Sequence, residues 1–411
     1  MTTKKEYINM KLAPIVLFTY NRPWHTKQTI EALQKNELAK ESELFIFSDG
    51  GKDQTSWEKV NEVREYLKTI NGFKKVILTF QDKNIGLADS IISGVTKIVN
   101  QYGKIIVLED DIVTSPYFLR FMNDTLDFYQ YKNEIWQTSG WFYPIEVDDL
   151  DDIIVHRAMN CLAWGTWHDR WQYFEKDSNN LINSYSKNDI RLFNMNNSKN
   201  NWNQVILNFN GIINTWAVFW HEVVFRNKGL YISPKNSIVE NIGFDGSGTH
   251  NCELSIFDNK IKKYNYNFSM NNNISENKIA MDRIKLLYFE SFSNQNILFS
   301  SNINKVFQYL NKLNIMDCSF ILYGTGTGME LVLCRLEKNK ILFAIDQDEL
   351  KYNTVKNNIK IINLTNFKNI DDNKTKIIIT VFGRANKIQE TLINEYKIDK
   401  SRIISLDILD E

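Results

Sequence analysis

Ile105-Ile106-Val107-Leu108-Glu109-Asp110-Asp111 is a run of aliphatic residues that stops abruptly on three carboxylates. A continuous apolar run of this length, closed by a polar turn, reads as a strand buried on both faces, the kind that fills parallel sheets. Working outward, the strand spans Lys104 to Leu108, and similar runs occur at Pro14 to Thr19, Leu44 to Ser48 and Lys75 to Phe80. Between them lie amphipathic stretches: Thr26 to Lys35, Trp57 to Ile70 and Leu87 to Tyr102. Strands alternating with helices imply βαβ units, hence an α/β fold with a mostly parallel sheet flanked by helices. Open sheets of this kind bind ligands at the carboxyl ends of their strands. Tyr20-Asn21-Arg22-Pro23, Asp49-Gly50-Gly51 and Glu109-Asp110-Asp111 are therefore expected to converge on one crevice.

Farther along, Trp136 to Asn251 is less regular, with a Trp-rich segment, a polar stretch from Lys176 to Asn201 and a Gly-rich close at Gly243 to Gly248. Asn267 to Glu276 is an Asn/Ser cluster that reads as a linker, and a helical pattern at Val306 to Leu313 follows. A second α/β part begins near Asp317, with strands at Phe320 to Tyr323, Ile341 to Ile345, Ile377 to Val381 and Arg402 to Leu406. It has the pattern of a small Rossmann-like unit. The expected organisation is a domain over residues 1–265, a connecting region over 266–316 and an accessory domain over 317–411.

Composition narrows the function. The chain has 411 residues, 43% of them hydrophobic, as a globular protein requires. Lys and Arg together number 49, as do Asp and Glu, so no global field gathers nucleic acid or anionic lipid, and any phosphate site must be local. Cys161, Cys252, Cys318 and Cys334 are too scattered for a zinc site or a disulfide framework, which fits a reducing cytoplasm. Met1 to Met10 carries no apolar signal-peptide core, and no apolar run approaches the ~18 residues of a membrane span. No transmembrane segment is expected, while peripheral membrane contact stays open.

Like charges packed at one strand end raise their own pKa values and destabilise the fold unless something compensates. A divalent cation can do so, and oxygen ligands suit Mg²⁺ or Mn²⁺, which take one or two carboxylates plus substrate phosphates. The plainer alternative is a solvated turn with Asp111 or Ser115 capping a helix. Asp49, ending the second strand before two glycines, suits ribose hydroxyls or a base edge, or simply an Asp-Gly turn. After the third strand, Lys83 stands where it can face a phosphate ahead of a helix N-terminus.

Phe18-Thr19-Tyr20-Asn21-Arg22-Pro23, Phe47-Ser48-Asp49-Gly50, Asn84-Ile85-Gly86-Leu87, Val107-Leu108-Glu109-Asp110-Asp111, Ala163-Trp164-Gly165-Thr166-Trp167 through Arg170-Trp171, and Asn241 to His250 occur in that order. Together they resemble glycosyltransferase family 2 enzymes of the GT-A fold, in a bacterial branch similar also to N-acetylglucosaminyltransferase I in its Glu-Asp-Asp motif. The resemblance implies metal-dependent transfer of a hexosyl or N-acetylhexosaminyl group from a nucleotide-sugar donor to a glycan or lipid-linked acceptor in bacterial surface polysaccharide synthesis, with inversion. It implies that Asp49 meets the donor's base or ribose, that Glu109 and Asp110 hold the nucleoside, and that Thr19, Asn21, Arg22, Lys83, Asn84 and Gly86 complete the donor site. Asp111 would bind Mn²⁺ or Mg²⁺, with His250 as a second ligand.

An inverting transfer needs a base, and relatives carry an acid just before the residue corresponding to Trp216, where this chain has Asn214-Thr215. Asp245 and Glu222 are the substitutes, read otherwise as a turn former and a helix surface charge, and Asp169 is a further one, read otherwise as a partner of Arg170. Trp164, Trp167 and Trp171 are spaced by three and four, which places them on one helical face. Core packing suits most of them, with Trp164 or Trp167 left to stack on a sugar. In the accessory domain Gly324, Gly326 and Gly328 precede Asp346, a nucleotide-type loop with an acid at ribose distance, although Met329 replaces the last glycine of the dinucleotide fingerprint. An adenosyl-cofactor site, or a fold retained without a ligand, fits the same loop. The missing base keeps a non-catalytic nucleotide-sugar-binding module in view. A nucleotidyltransferase would want a Gly/Arg/Lys-rich loop where only Asn21-Arg22-Pro23 stands.

Overall fold

The computed structural model describes residues 11–243, 245, 259–261, 268–272, 274–294, 303–325, 329, 332–333, 336–347, 351–372, 374–381 and 385–406. It divides into two compact units, residues 1–285 and 286–411. In the first, strands β1 (Ile15–Thr19), β2 (Glu43–Ser48), β3 (Lys75–Phe80) and β4 (Lys104–Glu109) pair in parallel in the spatial order β3-β2-β1-β4. Every residue of β1 is buried, as a strand covered by helices on both faces must be. The covering helices are α1 (Pro23–Gln34), α2 (Gln54–Leu67) and α3 (Leu87–Tyr102). Proline opens α1 because the first helical N–H has no intrahelical partner to lose. Asp53 caps α2 by accepting from the Ser56 amide at 2.8 Å. Both helices start a turn earlier than their apolar periodicity indicates.

The chain runs from β1 outward through β2 to β3, then crosses back to place β4 on the other side of β1. That reversal leaves an opening between the carboxyl ends of β1 and β4, where an open α/β sheet takes a ligand.

Beyond β4 come β5 (Ile112–Thr114), helix α4 (Phe118–Phe128), β6 (Ile135–Ser139), β7 (Ile153–His156), β8 (Trp164–Trp167), helix α5 (Ala217–Arg226), β9 (Leu230–Pro234) and β10 (Val239–Asn241). β8 runs antiparallel to β4, and the sheet continues β8-β6-β9-β7 to eight strands. β5 and β10 form a separate antiparallel ribbon. The tryptophans do not share a helical face as their spacing suggests. Trp164 to Trp167 is strand, fixed by its ladder to β4, and one helical turn, His168–Trp171, follows. Trp164, Trp171, Trp216 and Trp220 instead pack together in the core, with Trp164 stacked on Trp216 at 5.2 Å between centroids and Trp171 at 5.0 Å from Trp220.

The second unit holds β11 (Phe320–Tyr323), β12 (Ile341–Ile345), β13 (Val355–Lys356), β14 (Ile359–Ile362), β15 (Lys376–Ile379) and β16 (Ile403–Ser405), in the order β13-β14-β12-β11-β15-β16. All neighbours are parallel except β13, giving the Rossmann-like arrangement its sequence pattern implies. The helix Ile303–Ile315, in the stretch read as connecting, packs Leu310 and Leu313 into this unit's core with Phe320 and Leu322. Among the described residues no helix is long and apolar enough to cross a membrane.

Candidate functional site

The parallel register sets Phe18 of β1 beside Glu109 of β4, so the turns that follow both strands meet at the sheet edge. There the Tyr20 amide donates to Asp110 Oδ2 at 3.1 Å, and Thr29 of α1 donates to the Asp110 carbonyl at 2.9 Å. Arg22 Nη1 donates to Asp111 Oδ2 at 2.8 Å, with 14% and 17% of the two side chains exposed. The β5–β10 ribbon returns the chain to this point, where the Ile242 amide bonds the Asp111 carbonyl at 2.9 Å. Gly243 follows, and a Cβ there would lie 2.2 Å from Asp111 Oδ2, so a side chain at this position would push the Asp111 carboxylate aside. Asp245 then stands with Oδ1 3.6 Å from Arg22 Nη2 and Oδ2 3.0 Å from His25 Nε2. His25 escapes a motif-based reading; its one signal is a histidine in the first turn of the helix that opens at Pro23.

The electrostatics follow from this crowding. Burial, then repulsion from Asp111 and Asp110, raises the Glu109 carboxyl. Burial and Asp111 likewise raise Asp110, while the Tyr20 amide and Arg22 pull it down. Burial lowers His25, with Arg22 adding to the effect and Asp245 opposing it. Asp111 and Asp245 thus flank one guanidinium, whose charge also lowers Glu109 and Asp110. The Thr19 hydroxyl, at the end of β1, is buried without a hydrogen-bond partner among the described residues, which a bound ligand would correct.

Asp49 is engaged otherwise than its position suggests. Its Oδ1 accepts from the Gly50 and Ile85 amides, both at 2.9 Å, and its Oδ2 accepts from the Gly86 amide at 2.9 Å and Asn84 Nδ2 at 3.1 Å. Asn84 also donates to the Gly50 carbonyl at 2.8 Å. The carboxylate therefore ties the end of β2 to the turn that leads into α3, where Gly86 holds φ at +83°. Arg64 of α2 fastens the same edge from behind by donating to the carbonyls of Ser48, Asp49 and Gln81. Asp49 and Asn84 are placed as positioning residues of that turn. Lys83 is exposed, and its main chain lies against Gly50. Asn21 is half-buried in the β1–α1 turn.

Several expected residues lie elsewhere. Glu222 is no surface charge: it is 2% exposed within α5, accepts from the Tyr185 hydroxyl at 2.8 Å and pairs with Arg226 at 3.8 Å. Burial raises its carboxyl. Trp164 and Trp167 are also enclosed, Trp164 in the aromatic core and Trp167 with its indole N–H donated to the Leu126 carbonyl at 2.9 Å, so neither offers a face to a sugar. Asp169 pairs with Arg170. Trp24 does stand open near the site, 58% exposed, two residues after Arg22 and edge-on to His25. His250, Gly326 and Gly328 lie outside the described residues. In the second unit Gly324 holds φ at +104°, and Asp346 Oδ2 accepts from the Thr325 amide at 3.1 Å and from Lys351 Nζ at 3.2 Å.

For the Mg²⁺ or Mn²⁺ that the motif implies, no three His, Cys, Asp or Glu side chains converge among the described residues. Ions of this kind are commonly completed by substrate phosphates on one or two carboxylates. Asp111, a hard oxygen donor at the opening, fits that partial role.

Neither the family models nor the curated proteins contain a match to this chain. Among solved structures it is similar to S. aureus TarS 1-349 in complex with UDP-GlcNAc, at 16% identity and a TM-score of 0.24 over 32% of this chain and 34% of that one. TarS 1-349 without ligand aligns at 15% identity and a TM-score of 0.28 over 38% and 47%. The mannosyltransferase PcManGT from Pyrobaculum calidifontis, in complex with GDP-Man and Mn²⁺, aligns at 10% identity and a TM-score of 0.29 over 54% and 74%. The chain spans about a third of the length of the first of these.

Proposed function

We propose that this chain is a nucleotide-sugar glycosyltransferase, transferring a hexosyl or N-acetylhexosaminyl group to a glycan or lipid-linked acceptor with inversion, in bacterial surface polysaccharide synthesis. The observation that carries the reading is the meeting of the β1 turn with the acidic end of β4 at the reversal point of the sheet, where Arg22 pairs with Asp111 and the Tyr20 amide with Asp110, beside the turn that Asp49 holds. That edge is where such sheets place nucleotides, and the strand-end motifs are those of the family the sequence resembles.

Breaking the bond between sugar and diphosphate builds negative charge on the leaving group. A divalent ion on Asp111 would supply part of the offset when bound. Arg22 supplies a fixed cation with a planar fork suited to phosphate oxygens. The start of α3, behind Gly86, adds a helix N-terminus. Trp24 gives an exposed ring for a base or sugar face. Asp245, 44% exposed and within reach of His25, is our candidate to take the acceptor proton, and its exposure favours it over the buried Glu222.

Calorimetry with Mn²⁺ and UDP-, GDP- and dTDP-sugars tests the reading: one donor binds, and Asp111→Ala loses that binding. Failure of every nucleotide to bind overturns it. The second reading, a nucleotide-sugar-binding module without turnover, draws on the engagement of Asp245 by both Arg22 and His25. It prevails if a donor binds but is neither hydrolysed nor transferred.

A further inference from the structure

Away from the acidic strand end, the stretch that leads into α5 contains the helix Trp202–Phe209. Trp202, Val205, Ile206 and Phe209 recur at the spacing of a single apolar stripe. The first half of that stripe is sealed, with Trp202 and Val205 buried in one cluster with Phe193 and Phe219. Its second half is open, Ile206 being 39% and Phe209 46% exposed. The helix then closes on a glycine cap. Gly211 holds φ at +67°, its amide bonds the Asn208 carbonyl at 3.0 Å, and the Ile212 amide bonds the Leu207 carbonyl at 2.9 Å. That cap holds Ile212 outward, 66% exposed. A helix side that faces water ordinarily carries charge, yet residues 200–221 contain no Asp, Glu, Lys or Arg. The flanking residues 176–199 do, with Lys176, Lys187, Arg191 and Lys199 against Asp177 and Asp189. Lys176 donates to the Asn214 side chain, just past the cap. Burial lowers its ammonium, and Asp89 in the first turn of α3 opposes that effect. The open apolar tip therefore stands on the side of the sheet where α3 begins, the side of the proposed donor site.

We propose that Ile206, Phe209 and Ile212 form a tip that enters the surface of an anionic lipid bilayer, and that the acceptor of the transfer is accordingly lipid-linked. The inference rests on the glycosyltransferase reading and names its acceptor class. Interfacial binding grows with the apolar area buried among the headgroups and with the attraction of cations to anionic lipid. The tip supplies the first, and the excess of basic over acidic residues beside it supplies the second. Its shape also suits a bilayer, because the exposed side chains project from a capped helix end instead of lining a groove that would receive a peptide. An uncharged tip loses no ion hydration on entering, and the asparagines around it can bond headgroups and water at that depth. A contact at this edge would hold the donor site close to the plane in which a lipid-linked acceptor diffuses.

Vesicle flotation of the full chain, beside a calorimetric titration with nucleotide sugars, tests the contact. The wild-type protein should bind vesicles of phosphatidylglycerol and phosphatidylcholine in equal parts about tenfold more tightly than vesicles of phosphatidylcholine alone. Phe209→Asn combined with Ile212→Asn should weaken binding to the mixed vesicles about tenfold and leave donor affinity unchanged. Ile212→Asn alone alters a side chain that already lies mostly in water; it should weaken binding about threefold and carries the test if the double variant fails to fold. Lys187→Gln should cost about fivefold on the mixed vesicles and nothing on the neutral ones. If a donor binds but the wild-type chain does not float, or floats equally well with both apolar side chains replaced, the tip is overturned while the glycosyltransferase reading stands. A wild-type dimer in sedimentation that the double variant dissociates also overturns it, and assigns the face to a second copy of this chain. If flotation depends on the tip but no nucleotide sugar binds, the glycosyltransferase reading falls, and the membrane contact stands without the acceptor.

Discussion

A carboxylate has about four lone-pair sites, and at Asp49 the amides of Gly50, Ile85 and Gly86 with the side chain of Asn84 use all of them. Removing the group leaves those donors facing a hole, and each buried, unpaired donor costs about 1–3 kcal/mol. Partial exposure of the turn softens this, so Asp49→Ala should lower the unfolding free energy by about 3 kcal/mol. Asp49→Asn should recover less than half of the loss, because its one carbonyl oxygen cannot serve three amides and its NH₂ group opposes them. Urea denaturation measures both; a loss below about 1 kcal/mol for alanine would return Asp49 to a ligand-contacting role. The residue is legible in sequence as an acid at a strand end. Apart from the Gly50 amide its donors are not, because they lie 35 to 37 positions later and arrive only through the parallel pairing of β2 with β3. Arg22 and Asp111 show the reverse case: each belongs to a recognisable turn, and the meeting of those turns follows from parallel strands alone.

Among elements, α5 explains why Glu222 reads from sequence as a surface charge although it is buried. Val218 to Val224 are buried without interruption, so the helix has no polar face and no amphipathic period to mark its inside. A charge in such a helix looks like a surface residue until its partner is known, and Tyr185 arrives from a stretch of low apolar content 37 positions away. The tryptophan segment is a strand despite its helical spacing for a related reason. In a short apolar run, spacings of three and four do not separate helix from strand, and pairing with β4 settles it. β1 to β4 are legible because each is a short run of β-branched, aliphatic or aromatic residues between clear turns. Since Glu222 is enclosed, Glu222→Gln should keep donor turnover within about twofold and lower stability by about 1–2 kcal/mol through a weakened bond to Tyr185. Initial rates of donor hydrolysis or transfer, read beside the denaturation midpoint, check this. A hundredfold loss of rate at unchanged stability would put Glu222 back in the reaction.

For the whole molecule, the strand order beyond β4 is what local pattern withholds, since β6 pairs with β9 across nearly a hundred residues, with Ile135 opposite Leu230. That long-range closure buries two histidines against one tyrosine. His156 of β7 stacks on Tyr231 of β9 at 5.7 Å, and His221 of α5 bonds the same hydroxyl at 2.9 Å. Burial pushes each imidazole down to about 3. Both are neutral in folded and unfolded chains above the ordinary histidine value of about 6.5. As pH falls below it, the unfolded chain binds protons that the fold refuses, so stability is lost with falling pH, by about 1.4 kcal/mol per unit for each histidine, until the folded value is reached. All ten tryptophans lie within residues 1–285, so tryptophan fluorescence reports the unfolding of this unit alone. Other groups titrate in the same range, and comparing wild type with His156→Gln removes them. The stability advantage of wild type over the variant should shrink by about 2 kcal/mol from pH 7 to pH 5. His221→Gln should give the same slope, because its imidazole is sealed in the same seam. Curves that run parallel over this range would mean that the folded chain accepts the proton, and that the seam around Tyr231 opens to water.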